Sequence, residues 1–472
     1  MTSTIKVNTI QNTCGADIIK ESGNTITIGA SGDTVTLGSG ASQSGFGRSG
    51  SVNWQTTPKT ATFTAADGEG YFINSGSAIT ANLPAGSAGA IVAFSDYARN
   101  FATYNLTISA NGSEKIGGSE NDAKLNVNGQ AATFVYVDST KGWVNVQNAE
   151  DTETGQSAFI CASVSGACNT LTNDGDFKVA KFVGPGTFTV NSIAAVCAPT
   201  RNNVSYLVVA GGGSGGESNV AGGGGGAGGF REYRAPLSGC YSVSPLNGNP
   251  GGTSITVSQQ GYPITVGGGG AGGSTPGNAN GNKGSDSTFD SVTSTGGGYG
   301  AAYSPTGGPG GSGGGGGGAS GSSPGGSGNT PPVSPPQGSN GGNGASNPST
   351  YANTGGGGGA TAAGENITGN FPGGGPGGNG GAGTSTSITG SSVAYAGGGG
   401  GSADNRGGSQ TGGDGGTGGG GQGGDPTRAT TSGTANTGGG GGGERGNSNP
   451  PGYHSDAGSG GSGIVVIRYK FQ

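Results

Sequence analysis

One histidine, 25 carboxylates and five cysteines are the principal groups that this 472-residue chain offers for acid–base or metal chemistry. The histidine, His454 in SNPPGYHSDAG, excludes an HExxH zinc site, and no carboxylate or cysteine near it has ligand spacing. GxGxxG matches are frequent only because glycine is abundant. None lies in a strand–helix–strand context, and no P-loop ending GK[ST] exists. GGDGG around Asp414 is similar to a calcium-binding nonapeptide, but it lacks the apolar position and does not repeat. Cys14, Cys161, Cys168, Cys197 and Cys240 are odd in number and scattered, the pattern of reduced thiols in a chain folded in cytoplasm. The sequons at Asn105 and Asn111 carry little weight without an export signal, and MTSTIKVNTIQNTCGADIIK has no apolar h-region. The expectation is a chain with no catalytic residue, metal or cofactor, and not an enzyme.

Binding chemistry is better supplied. Polar segments between glycine blocks carry Tyr303, Tyr351, Phe371, Tyr395, Arg406, Arg428, Tyr453 and His454 among Ser, Thr, Asn and Pro. Tyrosine gives large contact area at low entropy cost, so such loops have the composition of adaptable binding surfaces. These eight residues are the candidate contacts. PPVSPPQ at Pro331–Gln337 is expected to be stiff and protruding.

What positions these loops is glycine. Blocks such as GGGGGAGG, GGSGGGGGG and GGDGGTGGGGQGG fill the chain between Gly211 and Gly463. Without Cβ atoms, such backbones can approach one another closely, and buried peptide groups must find partners. A three-per-turn extended helix points its N–H and C=O groups radially, so neighbouring glycine helices can satisfy one another. Collagen is excluded because glycine comes in blocks and there are only 22 prolines. With 9% charged and 29% hydrophobic residues, one large apolar core is not available. The net charge of −6 gives no footprint for nucleic acid or an anionic membrane surface, and no apolar stretch is long enough to span a bilayer.

Four zones follow. Residues 1–45 contain SGNTITIGA and SGDTVTLGS, near-copies whose alternating apolar residues need neighbouring chains to cover them, and predict a trimeric intertwined β shaft. Residues 46–150 hold seven short strand-like runs and predict an antiparallel sandwich or barrel. Its expected core is Trp54, Phe63, Phe72, Phe134, Tyr136 and Trp143. Residues 151–203 read as a linker and a hairpin turning at Gly184-Pro185-Gly186. Residues 204–472 open with Val204–Ala210 and close with Gly463–Phe471, two β-prone runs expected to pair and close the glycine zone into one domain. The fold class is all-β plus a polyglycine-II helix sandwich, with no significant α-helix.

The opening STIKVNTIQN, the stretch VNWQTTPKTATFTAADGEGYFINS…FVYVDSTKGWVNV and the brackets YLVVAGGGSGG…GSGIVVIRYKF resemble fibre proteins of tailed phages of marine bacteria, cyanobacteria above all. Their glycine-rich distal domain is similar in kind to the adhesin tips of T-even-like phages, a layered glycine-helix sandwich bearing host-recognition loops. The resemblance implies a homotrimeric virion fibre, assembled in the host cytoplasm. Its N-terminus would meet other tail or baseplate proteins, and its loops a host outer-membrane protein or polysaccharide. The alternative is a non-viral structural or ice-binding glycine-rich surface protein, which would present a regular face; the inter-glycine segments differ in length and content.

Overall fold

The computed structural model describes residues 9–11, 17–22, 25–28, 52–147, 159–194, 199–237, 239–248, 254–273, 278–302, 306–318, 321–346, 352–368, 375–404, 410–445 and 456–472. The chain divides into two units: residues 1–115 with 125–148, and residues 116–124 with 149–472. No α-helix occurs among the described residues; strands and laterally bonded extended runs replace it.

Near the N-terminus Thr9–Gln11, Asp17–Ser22 and Thr25–Ile28 form a small antiparallel sheet. The first nine-residue copy thus pairs its strand within the same chain, and the second copy lies outside the described residues.

The rest of the first unit winds differently from the expected antiparallel sandwich. Asn53–Lys59, Glu69–Ile73 and Ile91–Asp96 are parallel neighbours in one sheet. Phe63–Thr64, Ile79–Asn82 and Leu106–Ser109, which alternate with them in sequence, are parallel neighbours in another. From Asn53 to Ser109 the chain crosses between sheets after every strand, as a coil does. Ala131–Asp138 and Gly142–Asn145 then extend the first sheet with antiparallel pairs. Turn composition marks where a strand stops but not which sheet the next one joins. Tyr71, Phe94, Phe134 and Trp143 are buried between the sheets, whereas Phe63, Phe72 and Tyr136 are only half-buried. Trp54 is exposed: its indole lies across Gly70, where a Cβ would stand 2.7 Å from Trp54 Cδ2.

In the second unit the bracketing strands pair as expected, antiparallel from Ser205↔Arg468 to Val209↔Ile464. Ile464–Lys470 is flanked on its other side by Phe177–Phe182, so the segment expected as a linker and hairpin contributes to the base of this unit. The hairpin itself does not form: Phe177–Phe182 pairs with Thr170–Asp174 and Ile464–Lys470, whereas Gly186–Ser192, beyond the Gly184-Pro185-Gly186 turn, joins another sheet between Cys161–Val164 and Gly261–Thr265. The sheet buries Tyr206, Val208, Val465, Ile467 and Tyr469 with Phe182, Phe188 and Phe289. Its opposite face buries Leu207, Val209, Ile464 and Val466 with Ala227 and Phe230. Apolar side chains end there and glycine takes over.

Residues 221–230 are buried throughout and form the axis of the glycine region. Their N–H groups follow a three-residue cycle: Gly222, Gly225 and Gly228 donate to Glu444, Gly441 and Gly438; Gly223, Gly226 and Gly229 to Ala301, Gly298 and Thr295; Gly224 and Ala227 to Gly355 and Gly358. Their carbonyls accept from three further runs, through Ser402 and Gly399, Gly216 and Gly213, and Gly315 and Ser312. Runs 210–216, 295–301, 311–316, 355–360, 397–403 and 438–444 thus surround the axis. Each is also bonded to both its neighbours around the ring. A period of three with radial bonding is polyglycine-II-type packing. It leaves almost no room for a side chain inside: a Cβ on Gly225 would lie 2.1 Å from the Gly213 oxygen, while one on Gly268 at the rim would meet nothing within 4 Å.

Gly225→Ala should therefore lower stability by roughly 3 kcal/mol or more, a Tm drop of about 6–12 °C for a domain of this size. Gly268→Ala should stay within about 0.5 kcal/mol. Paired thermal melts of the two variants check this.

Candidate functional site at the far end of the glycine stack

The axis has a direction set by its registers. Phe230 leaves it into the strand Phe230–Tyr233, so the Gly228–Gly229 level, bonded to Gly438, Thr295 and Ala210, lies at the sheet. The Gly222–Gly224 level, bonded to Glu444, Ser402, Ala301, Gly216, Gly355 and Gly315, lies at the other end.

Six candidates, Tyr303, Tyr351, Phe371, Arg406, Tyr453 and His454, lie outside the described residues. The described residues that flank them belong to the far end. Ala302 precedes Tyr303 and follows Ala301, which bonds Gly223; Ala352 follows Tyr351 and leads through Thr354 to Gly355, which bonds Gly224. Asp404 stands before Arg406, and Arg445 before Tyr453 and His454, each just beyond a residue bonded to Gly222. Gly375, after Phe371, donates to Asn353 Oδ1 at this same end. Arg428 is described and belongs here too.

Tyr395 does not. It sits in the strand Val393–Tyr395 at the sheet end, 3% exposed, in the apolar cluster with Leu207 and Val466. Its reading as a loop contact is corrected: it anchors a hairpin. The partner strand Thr384–Thr386 is held by Glu232, whose buried carboxylate accepts the Thr386 hydroxyl at 2.5 Å and the Ser244 N–H at 2.9 Å. Burial pushes the Glu232 carboxyl up, against those hydrogen bonds. PPVSPPQ is also at the sheet end and does not simply protrude: Gln337 is buried, accepting the Phe230 N–H on its carbonyl and the Thr295 N–H on its side chain.

Buried polar side chains secure the far end. Thr354 Oγ1 shares its proton between the Gly222 and Ser402 carbonyls, both at 2.9 Å, and Ser402 Oγ accepts the Gly222 N–H at 2.7 Å. Asp404 accepts the Ala352 N–H at 2.7 Å, and Glu444 accepts the Ser218 N–H at 3.1 Å. Arg428 pairs with Asp414 at 2.7 Å and Asp425 at 3.4 Å and also donates to the Gly412 carbonyl, so its charge is already engaged. Burial would raise the Asp425 carboxyl. The Thr427 N–H and hydroxyl, the Gly412 N–H and Arg428 outweigh it and bring it below the usual range. For Glu444 burial wins, with Glu217 and Asp456 adding to it against the Ser218 hydrogen bond, and the carboxyl is pushed up to about 8. Sequence reasoning passed over Thr354, Ser402, Asp404 and Glu444, although three of them directly flank glycine blocks, where a run must end.

No group of three or more His, Cys, Asp or Glu among the described residues is placed to hold a metal ion, and Asp414 faces Arg428 instead. The model for the glycine-rich domain matches residues 183–470. The chain belongs to the glycine-rich domain family. The match begins within the base of the second unit and ends in its closing strand. No curated protein matches the chain.

In the glycine-rich domain Glu444 gives a pH test. Its folded pKa of about 8 exceeds the 4.5 of the free side chain, so between these values the folded state holds a proton that the unfolded state has lost. Stability should therefore fall as pH rises from about 4.5 to about 8, with no further loss from this group above that. Glu444→Gln should flatten this part of the profile, as thermal melts across the range will read.

Proposed function

We propose that this chain is a tail-fibre protein of a tailed phage and that the far end of its glycine stack binds a host surface receptor. One observation supports this best. The up-and-down course of the runs brings the described residues that flank Tyr303, Tyr351, Phe371, Arg406, Tyr453 and His454 to one end, away from the closing sheet. Glycine runs cannot discriminate a ligand by side chains, whereas segments rooted outside the lattice can change without disturbing its hydrogen bonds. Membership in the glycine-rich domain family is consistent with the reading, as is the resemblance of both flanking zones to phage fibres. In this reading the N-terminal zone joins the virion and other copies of the chain in a homotrimer, and the ligand is an outer-membrane protein or surface polysaccharide.

The engaged state of Arg428 gives it a supporting role, bracing the Asp425–Arg428 turn against residues 412–414. Exchanging residues 303–305, 347–351, 369–374, 405–409 and 446–455 for those of a related fibre should transfer host range and move Tm by no more than a few degrees. Adsorption assays on both hosts read the outcome. Host range that instead follows residues 46–150 would place the receptor site in the first unit.

A further inference from the structure

At the sheet end of the second unit a cavity of about 320 Å³ lies beside the strand Asn203–Val209. One wall is the short strand Ile255–Thr256, which pairs with the start of that strand, Val204 opposite Ile255. The other is the hairpin of Ser287–Phe289 and Val292–Ser294, whose two-residue turn is Asp290-Ser291. Asp290 has a φ of 50°, the left-handed conformation that the first position of such a turn demands and that aspartate adopts more readily than most residues. Tyr206, Ile255 and Val292 are buried and line the cavity with apolar surface. Tyr206 is fixed by two rings, stacked on Tyr233 at 5.9 Å and edge-on to Phe289 at 6.1 Å. Ser254, Thr256, Asp290 and Ser291 supply the polar lining, the last three exposed to solvent. The Thr256 hydroxyl donates to Asn203 Oδ1 at 2.6 Å. Among the described residues, the Asp290 carboxylate and the Ser254 and Ser291 hydroxyls have no hydrogen-bond or ion-pair partner.

An apolar wall with a few convergent polar groups is the make-up of a small-molecule site, and the volume falls at the low end of the roughly 300–1,000 Å³ that such sites span. We propose that this cavity binds a single hexopyranose ring. The C–H face of the ring matches the apolar surface of Tyr206, Ile255 and Val292. Its adjacent hydroxyls match the Asp290 carboxylate, which only accepts and has two oxygens for two O–H groups, and the serine hydroxyls, which both donate and accept. Hydrogen bonds to an ionised group are the stronger ones, so Asp290 carries most of the recognition. Other ligand classes fit less well. An apolar molecule would leave the carboxylate desolvated and unpaired. A metal ion would find one carboxylate, and no group of three or more His, Cys, Asp or Glu is gathered here among the described residues. An organic ammonium group has no acceptor for the hydroxyl protons. The cavity lies at the sheet end, so the inference stands apart from the receptor reading at the far end and does not depend on it.

Saturation-transfer NMR on the full chain with D-glucose, D-galactose, D-mannose and N-acetyl-D-glucosamine, each from about 1 to 50 mM, tests it. At least one sugar should show saturable binding. Asp290→Asn, which keeps the size of the side chain and the left-handed turn, should weaken that binding about tenfold at unchanged Tm. Ser254→Phe should abolish it by filling the cavity; should that ring disturb folding, Asp290→Asn alone decides. The chain carrying the exchanged far-end segments should bind as the wild type does. Absence of saturable binding for all four sugars overturns the proposal, as does binding that Asp290→Asn leaves unchanged. Binding lost on the far-end exchange also overturns it, because the sugar then belongs to the receptor surface.

Discussion

A carbonyl oxygen 2.1 Å from where a side chain would begin at Gly225 is the constraint on which the glycine-rich domain depends. Radial hydrogen bonding between three-per-turn helices works only when nothing separates the backbones, so the interior of the lattice admits glycine and little else. The same contact recurs along the axis: a Cβ on Gly222 would lie 2.0 Å from the Gly216 oxygen, and one on Gly228 2.0 Å from that of Ala210. The large entropy loss of ordering glycine is offset by peptide groups that find partners on every side, and by closure of both chain ends into one sheet. Where the lattice meets that sheet a side chain returns: Ala227, the one non-glycine between Gly222 and Gly229, packs with Leu207 and Val209.

This arrangement separates rigidity from variation. The sheet end is fastened by apolar side chains and by the buried Glu232–Thr386 contact. The far end is fastened by short polar side chains that complete the backbone bonding where a run stops, as Thr354 and Ser402 do around Gly222. Their work resembles helix capping, in which a side-chain oxygen or hydroxyl takes over where the regular ladder ends.

Much of this was legible in the sequence, for identifiable reasons. The pairing of Val204–Ala210 with Gly463–Phe471 followed from two β-prone runs bracketing glycine, and the three-residue period from the chemistry of bare backbones. Which candidates share an end was not legible, because it depends on the direction of each run and on how many runs separate them. Tyr395 shows this: its local sequence resembles the other aromatic segments, but it lies in a hairpin at the sheet end. In the first unit the strands were recognisable, but their parallel coil was not, since the same turn residues serve either topology. Trp54 was read as core because the bare Gly70 beneath its indole is a neighbour only across strands. Thr354, Ser402 and Glu444 were overlooked because a polar residue beside a glycine block reads as loop until the block is known to be packed.

Amide hydrogen exchange of residues 222–229 tests the central claim most directly. In a closed lattice these N–H groups are buried and bonded on all sides, so they should exchange only through opening of the whole domain, as slowly as the strand Ile464–Lys470. Exchange at the rate of an unstructured glycine linker, with protection confined to the sheet, would contradict the account.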